Sequence, residues 1–261
     1  MASAIAAAIA AGVLAGCGRI GFDPLAGDGA RAIDGDATSI AFVQTTPVAN
    51  VANVGSAAVV FNAPTTAGDL LVLAAWTFAA DTSPAPGGFM DGAGNVYQLA
   101  SSVTTTACET GHGALAIYDT VAAGDQASLQ ISYAPVGTST QEIDLIALEY
   151  RGVSALDRDA SLVTPAGTSP HVFSSGTTPE LSADHELLFG AGFSCSGSPG
   201  PVTFTDDAGF ATRGEENGTE NGSPGIVGDK IVDQGGTATD TWTATYGTDN
   251  EVELGAIATF R

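Results

Sequence analysis

Apolar and polar residues alternate with a period of two along much of residues 40–261. The segment 128–133 places Leu, Ile and Tyr on one face and Ser, Gln and Ser on the other, and the segment 241–246 alternates Thr with Trp, Ala and Tyr. Successive side chains of a strand point to opposite faces, so each segment predicts a strand with one apolar side and one side facing water. No window of about a dozen residues shows the helical period. The pattern predicts an all-β protein.

Two longer apolar runs, 70–78 and 187–193, predict central strands that are buried on both faces. Gly, Asp, Asn, Ser and Pro cluster between the predicted strands, as in 91–95 and 196–200, and these clusters predict turns. About twelve short strands at close spacing favour an antiparallel β-sandwich of two sheets, jelly-roll-like in its connections.

The same segments occur twice in the same order. Residues 68–72, 91–94, 129–133 and 142–145 correspond to 185–189, 206–209, 242–246 and 251–254, at offsets of 117, 115, 113 and 109 residues. We predict two related halves, about 55–152 and 173–261, joined by a Gly-, Ser-, Thr- and Pro-rich connection around 157–179. The halves can be separate domains or one interlocked sandwich. We favour the interlocked form because it buries more surface per residue.

The charge balance excludes several classes of partner. The chain has 29 Asp and Glu against 7 Lys and Arg, a net charge of −22. A protein that binds nucleic acid by neutralising phosphates needs a basic face, and adhesion to anionic lipids needs a polybasic patch. We therefore expect no nucleic-acid partner.

The first sixteen residues are almost entirely apolar and end in Leu14-Ala15-Gly16-Cys17. This tetrapeptide resembles the lipobox of bacterial lipoproteins, although no Lys or Arg precedes the apolar run. The resemblance implies a signal peptide over 1–16, acylation of Cys17, and a lipidated tether over 17–39 that joins the bilayer to a β-domain over 40–261. It also implies a cell-envelope location. Because Gly18 replaces the Asp associated with inner-membrane retention in that family, we expect the outer membrane or the cell surface.

Three cysteines are an odd number for an exported protein. If Cys17 carries lipid, Cys108 and Cys195 remain, both beside predicted strands. An oxidising compartment then favours a disulfide between them, with free buried cysteines as the alternative. Cys108 and His112 have the spacing of half a metal site, but no second pair completes it, so we favour a structural role.

Glu142 and Asp144 lie on one predicted strand as Glu-x-Asp. The motif resembles the catalytic strand of laminarinase-like glycoside hydrolases, where Glu is the nucleophile, Asp orients it and a second Glu a few residues later is the acid/base. Ile146 and Ala147 occupy the positions expected for that acid/base, and Glu149 lies on the opposite face. A hydrolase with an incomplete catalytic strand is therefore the alternative, and we predict no enzyme activity.

The sequence predicts no cofactor, with Ca²⁺ as the alternative. Carboxylate and amide oxygens in Gly-rich turns suit calcium, although such turns need no metal to form. The residues in question are Asp91, Asn95, Asp206 and Asp207.

Aromatic residues are the remaining candidates for binding a glycan or a protein. We interpret most of them as core because they lie on the apolar face of their strands; they are Trp76, Trp242, Tyr97, Tyr118 and Tyr150. The three histidines lack a partner signature and are interpreted as surface or capping residues. The acidic loop 214–225 is predicted to be exposed. The sequence favours a binding or structural envelope module of unknown ligand.

Overall fold

This computed structural model describes residues 39–52, 56–79, 87–108, 111–126, 128–134, 142–195, 201–218, 223–247 and 251–261. The described residues belong to one compact unit and contain strands and no helix. The strands are β1 (Ala41–Thr45), β2 (Ala49–Ala52), β3 (Ser56–Val60), β4 (Leu70–Ala79), β5 (Gly87–Met90), β6 (Gln98–Cys108), β7 (Gly111–Val121), β8 (Ser128–Ala134), β9 (Glu142–Arg151), β10 (Leu156–Gly167), β11 (His171–Thr177), β12 (Glu186–Cys195), β13 (Thr203–Asp206), β14 (Ala211–Glu216), β15 (Gly225–Val232), β16 (Thr239–Thr245) and β17 (Glu251–Phe260).

The strands form four antiparallel sheets, which confirms the predicted all-β, sandwich-type fold. Sheet A has the order β1-β9-β4-β7-β6, with β2 also paired to β9, and sheet C has the order β10-β17-β12-β15-β14. The two smaller sheets are B, with the order β3-β8-β5, and D, with the order β11-β16-β13. The sheets stack as B, A, C and D, because one core cluster joins A to C and others join B to A and D to C.

Sheets A and C are therefore buried on both faces. On β4, Leu70, Val72, Ala74 and Trp76 face sheet C, whereas Leu71, Leu73 and Ala75 face sheet B. Every residue of β12 and β17 is buried. The continuous apolar runs at 70–78 and 187–193 are thus central strands, as predicted.

The outer sheets keep one side in water. On β8, the side chains of Leu129 and Ile131 are buried and those of Ser128, Gln130 and Ser132 are exposed. On β16, Trp242 and Ala244 are buried between partly exposed threonines. The period-two prediction is confirmed for both strands.

Sheets C and D repeat the strand order of sheets A and B. Replacing β9, β4, β7 and β6 by β17, β12, β15 and β14 converts the order of A into that of C, and the same shift of eight converts B into D. β1 and β2 both pair with the same edge of β9, and the single strand β10 pairs with the corresponding edge of β17.

Strand pairing corrects the predicted correspondence between β9 and β17, the last matched pair of segments. Leu70 pairs with Tyr150, and its counterpart Leu187 pairs with Phe260, so β9 and β17 are related by 110 residues rather than 109. A shift of one residue moves a side chain to the other face of a strand. Asp144 consequently lies on the face of β9 that points to sheet C, whereas Glu253 lies on the face of β17 that points to sheet D.

The predicted connection around 157–179 is also wrong, because it forms β10 and β11. β10 is an edge strand of sheet C in which every residue is exposed or half-buried and polar and apolar residues are mixed, so it carries no clear alternating apolar signal. The described part of the chain contains 17 strands, more than the predicted twelve or so. Short strands such as β2 and β5 also lack an alternating signal, because they are rich in Ala and Gly.

Candidate functional site

Cys17, the predicted lipidation site, lies outside the described residues, as do the predicted signal peptide and tether up to residue 38. Among the described residues, no helix is long and apolar enough to cross a membrane.

Cys108 and Cys195 form a disulfide between the end of β6 and the end of β12, with their Cα atoms 5.5 Å apart. Both residues are buried. The bond crosses from sheet A to sheet C. Gly113 of β7 makes room for it, since a Cβ there would lie 2.5 Å from Cys195 Sγ and 2.9 Å from Cys108 Sγ.

Asp144 is fully buried and is used to bind a loop. Its Oδ1 accepts a hydrogen bond from Asn50 Nδ2 (3.0 Å), and its Oδ2 accepts one from the backbone N–H of Ser223 (3.1 Å). Trp76 Nε1 donates to the carbonyl of the same Ser223 at 2.8 Å. The candidate carboxylate and the candidate aromatic platform thus jointly hold the β14–β15 loop against sheet A, and neither faces a cleft. The side chain of Glu142 lies outside the described residues.

Glu149 points to the other face of β9, as predicted, and is fully buried. Its two carboxylate oxygens accept hydrogen bonds from Gln44 Nε2 and from the backbone N–H of Thr66, both at 2.6 Å. It therefore joins β1 and the loop before β4, and it shares no face with Asp144.

Of the segment 214–225, predicted to be an exposed loop, the structure describes residues 214–218 and 223–225, and these contacts hold its second end. Pro224 and Gly225 are buried, and a Cβ at Gly225 would overlap the indole ring of Trp76. Glu215 and Glu216 belong to β14, and each accepts a backbone N–H, from Phe204 and Gly218 respectively.

The candidate aromatic residues are all buried, which confirms their interpretation as core. Trp242 stacks on Phe173 with a centroid distance of 5.1 Å, and Tyr150 donates its hydroxyl to Asp229 Oδ2 at 2.8 Å. Burial raises the pKa of Tyr118 to about 12. The remaining candidates in this set, Trp76 and Tyr97, are 0% and 4% exposed.

In the first pair of calcium candidates, Asp91 and Asn95, the side-chain oxygens already accept hydrogen bonds from protein donors. Asp91 Oδ1 accepts the backbone N–H groups of Ala93 and Asn95, and Asp91 Oδ2 accepts Asn95 Nδ2 and the hydroxyl of Tyr97. Asn95 Oδ1 accepts the N–H of Ala123. This is an Asx turn that closes the β5–β6 connection.

The second pair repeats the turn with a different outcome. Asp206 Oδ1 accepts the N–H groups of Ala208 and Phe210, and Asp207 Oδ2 accepts the Thr243 hydroxyl at 2.6 Å. The described ranges bring no three His, Cys, Asp or Glu side chains together in a way that could hold a metal ion.

The three histidines have separate surroundings. His112 is half-buried in β7, and its Nδ1 has no hydrogen-bond partner among the described residues. His185 Nδ1 lies 2.6 Å from Asp233 Oδ1 at an exposed position. His171 Nδ1 is buried 3.9 Å from Glu253 Oε1. Burial lowers the pKa of His171, and burial raises the pKa of Glu253 to about 8 despite the hydrogen bond that it accepts from Ser194 Oγ. Both shifts disfavour the charged forms, so they oppose an ion pair between the two side chains.

Sequence reasoning did not anticipate several buried acids, among them Glu253 and Asp240, which are both fully buried. A signal for Asp240 was present in the sequence: it lies two and four residues before Trp242 and Ala244, so the period-two pattern places it on their apolar face. Burial, followed by the charge of Asp206, raises the pKa of Asp240 to about 8.

Two surface clefts are open to solvent. One, of about 340 Å³, is formed by the turns before β4 and after β9 and contains Arg151 and Asp69, 3.6 Å apart. The other, of about 410 Å³, lies between the β1–β2 connection and β14. Its arginine, Arg213, is held by Asp229 through two hydrogen bonds of 2.8 and 2.9 Å and stacks on Phe42. These contacts leave the Arg213 guanidinium few donors for a ligand.

No family model, curated protein sequence or solved structure matches the chain.

Proposed function

We propose that the protein is an exported lipoprotein, anchored in the bacterial cell envelope through acylated Cys17, whose β-domain is a binding or structural module rather than an enzyme. The observation that carries this proposal is the pairing of Cys108 with Cys195. Disulfides persist in oxidising compartments, so the bond supports export. It also leaves Cys17, at the end of the lipobox-like tetrapeptide, as the one cysteine outside the disulfide.

The anchor is tested by the intact mass of protein from the membrane fraction of a bacterial host. The expected result is a chain that begins at Cys17 and carries the added mass of its acyl groups. A Cys17→Ser variant is the matched control and should lose the acyl mass and the membrane association. An unmodified Met1 on a soluble wild-type protein would contradict the proposal.

A binding or structural role is supported by the way in which the candidate catalytic strand is used. Asp144 is committed to Asn50 and Ser223, and Trp76 to the same loop, so the alternative hydrolase has no accessible carboxylate pair built on Asp144. A glycan array run beside a reducing-sugar assay on β-glucan separates the binding module from the hydrolase. Sugar release that is abolished in Glu142→Gln would establish the hydrolase instead.

We further propose that the β-domain arose by duplication of a jelly-roll-like unit. Support comes from the repeated strand order and from the turns at Asp91 and Asp206, which share the same two backbone hydrogen bonds. Both turns also place a glycine with positive φ three residues later, Gly94 and Gly209.

A further inference from the structure

The turn at Asp206 has one carboxylate oxygen without a donor. Asp206 Oδ1 accepts the N–H groups of Ala208 and Phe210, both at 3.0 Å. Asp206 Oδ2 is buried and receives no hydrogen bond from a donor in the described part of the chain. A buried acceptor without a donor costs about 1 to 3 kcal/mol, so this atom calls for an explanation.

The corresponding turn in the first half shows what is absent. There, Asp91 Oδ2 accepts a hydrogen bond from Asn95 Nδ2 at 2.7 Å and one from the Tyr97 hydroxyl at 3.3 Å. At the offset of 115 residues the equivalent positions are Phe210 and Thr212. Phe210 has no donor side chain, so the second turn needs a donor from elsewhere.

Asp240 of β16 lies on the same face of the β13–β16 pair as Asp206, because Asp206 pairs with Trp242, two residues further along β16, and the two carboxyl groups interact. It is fully buried, its Oδ1 accepts the N–H of Thr241 at 2.8 Å, and its Oδ2 has no donor among the described residues. The carboxyl group fills the space above Gly190 of β12, where a Cβ would collide with Asp240 Oδ2. Two buried carboxylate oxygens without donors therefore lie on one face of the β13–β16 pair.

The surroundings supply no cation at contact distance. Lys230 of β15 donates its ammonium group to the carbonyl of Ala208 at 2.9 Å, and none of the ion pairs between described residues includes Asp206 or Asp240. Asp207 is turned towards Thr243. The neighbouring residues on β12 and β17 are Gly190 and Ile257, which are paired with each other and carry no charge. On β11 the neighbour is Ser175, whose hydroxyl oxygen accepts a hydrogen bond from the N–H of Asp240.

We propose that Asp206 and Asp240 share one proton, with the protonated carboxyl of Asp240 donating to Asp206 Oδ2, and that this acid pair is a pH-sensitive latch holding the β13 turn onto β16. One proton removes the repulsion between two buried anions and satisfies both orphaned oxygens at once. The latch acts on an edge: β13 has only four residues and pairs with β16 alone.

Burial, then the charge of Asp206, raises the pKa of Asp240 from 3.8 to about 8, with Lys230 and the N–H of Thr241 opposing the shift. The folded-state pKa lies above the unfolded one, so the stability that the proton contributes is complete below pH 4 and is lost as the pH rises to about 8. One extra proton in the folded state raises the unfolding equilibrium constant about tenfold per pH unit across that window.

The test compares the full-length wild type with Asp240→Asn, because an amide donates to Asp206 without titrating. The readouts are the unfolding equilibrium constant between pH 5 and 9.5 and the exchange protection of the Asp207 N–H, which donates to the Thr241 carbonyl at 2.9 Å. We expect the wild type to lose about tenfold more protection per pH unit than Asp240→Asn up to pH 8. Glu253→Gln is the matched control, since it removes another buried acid whose pKa is raised to about 8 and should keep the wild-type slope at Asp207.

If Asp240→Asn fails to fold, Asp206→Asn replaces it, because its amide donates to an ionised Asp240 and should reduce the slope, although by less than Asp240→Asn, since burial still raises the pKa of Asp240. Two results would overturn the proposal. One is an unchanged slope in the asparagine variant that folds. The other is recovery of Asp207 protection in the wild type at pH 9 on addition of Ca²⁺ alone, since the two oxygens would then hold a cation instead of a proton.

Discussion

Two glycines on the face of sheet C that packs against sheet D, Gly192 and Gly255, allow the two sheets to approach closely. A Cβ at Gly255 would collide with the carbonyl oxygen of Ser174, and a Cβ at Gly192 would come within 3.0 Å of the Phe173 ring. The backbone of β11 therefore lies directly on β17, at a distance that side chains would not permit. The close packing leaves Trp242 and Phe173 stacked without a gap.

Gly255→Ala should destabilise the protein by about 1 to 3 kcal/mol, because the obstacle is backbone and cannot rotate away. Gly124→Ala is the matched control. A Cβ at Gly124 would meet no atom within 4 Å, and this residue has no positive φ, so the change should be neutral or stabilise by up to about 1 kcal/mol. Urea denaturation measures both, and equal effects would contradict this account of the sheet spacing.

The two tryptophans provide a paired test of the loop anchor. Trp76 Nε1 donates to the Ser223 carbonyl, whereas the buried Nε1 of Trp242 has no acceptor among the described residues. Trp76→Phe should therefore cost about 1 to 3 kcal/mol more than Trp242→Phe, although both changes remove the same volume from a fully buried site. Chemical denaturation of the two variants gives the difference directly. A larger loss for Trp242→Phe would show that packing outweighs the hydrogen bond.

At the scale of strands, the sequence predicted the long buried strands β4 and β12 and failed at β10, which lacks an apolar face. The runs that became β4 and β12 are continuous because sheets A and C are covered on both sides. β10 was missed since its pairing with β17 comes from backbone hydrogen bonds and not from side-chain burial. The faces of β9 and β17 were related one residue out of register, because that relation depends on strand pairing.

The same limit applies to the candidate site. Period-two alternation already placed Asp240 on the face of Trp242, so its burial was readable from the sequence. Nothing in the chain near Asp144 indicated that Ser223, 79 residues away, would occupy its carboxylate. Contacts between distant loops depend on the stacking of sheets A and C, which no local pattern encodes.

The disulfide covalently links the end of β6 to the end of β12. It closes a loop of 87 residues, for which the chain-entropy model gives about 4 to 5 kcal/mol and measured bridges typically give about 2 to 4 kcal/mol. Replacing both Cys108 and Cys195 with Ser should lower the free energy of unfolding by about 2 to 4 kcal/mol. Reductant should then affect the wild type but not the double variant, and Cys17→Ser should leave the stability of the β-domain unchanged.

At the scale of the whole molecule, the large apolar faces of sheets A and C form a single core. Its members come from both halves of the chain, including Trp76, Ile146 and Tyr150 from sheet A and Phe189, Phe193 and Phe260 from sheet C. A separate half would present its face to water as an apolar surface of the kind that drives association. The structure therefore favours cooperative folding of both halves together.

This interdependence predicts the behaviour of fragments. Residues 39–152 and 153–261, produced separately, should show no cooperative unfolding transition and should bind a hydrophobic dye, because each half lacks the cover for its larger sheet. A full-length chain cut at a protease site inserted near Ser154 is the matched control. It should remain folded, since sheets A and C still pack and the disulfide still joins β6 to β12. A monomeric half that unfolds in one sharp transition would instead mean that this part of the chain is stable alone, and that the contact between sheets A and C joins two separately folded domains.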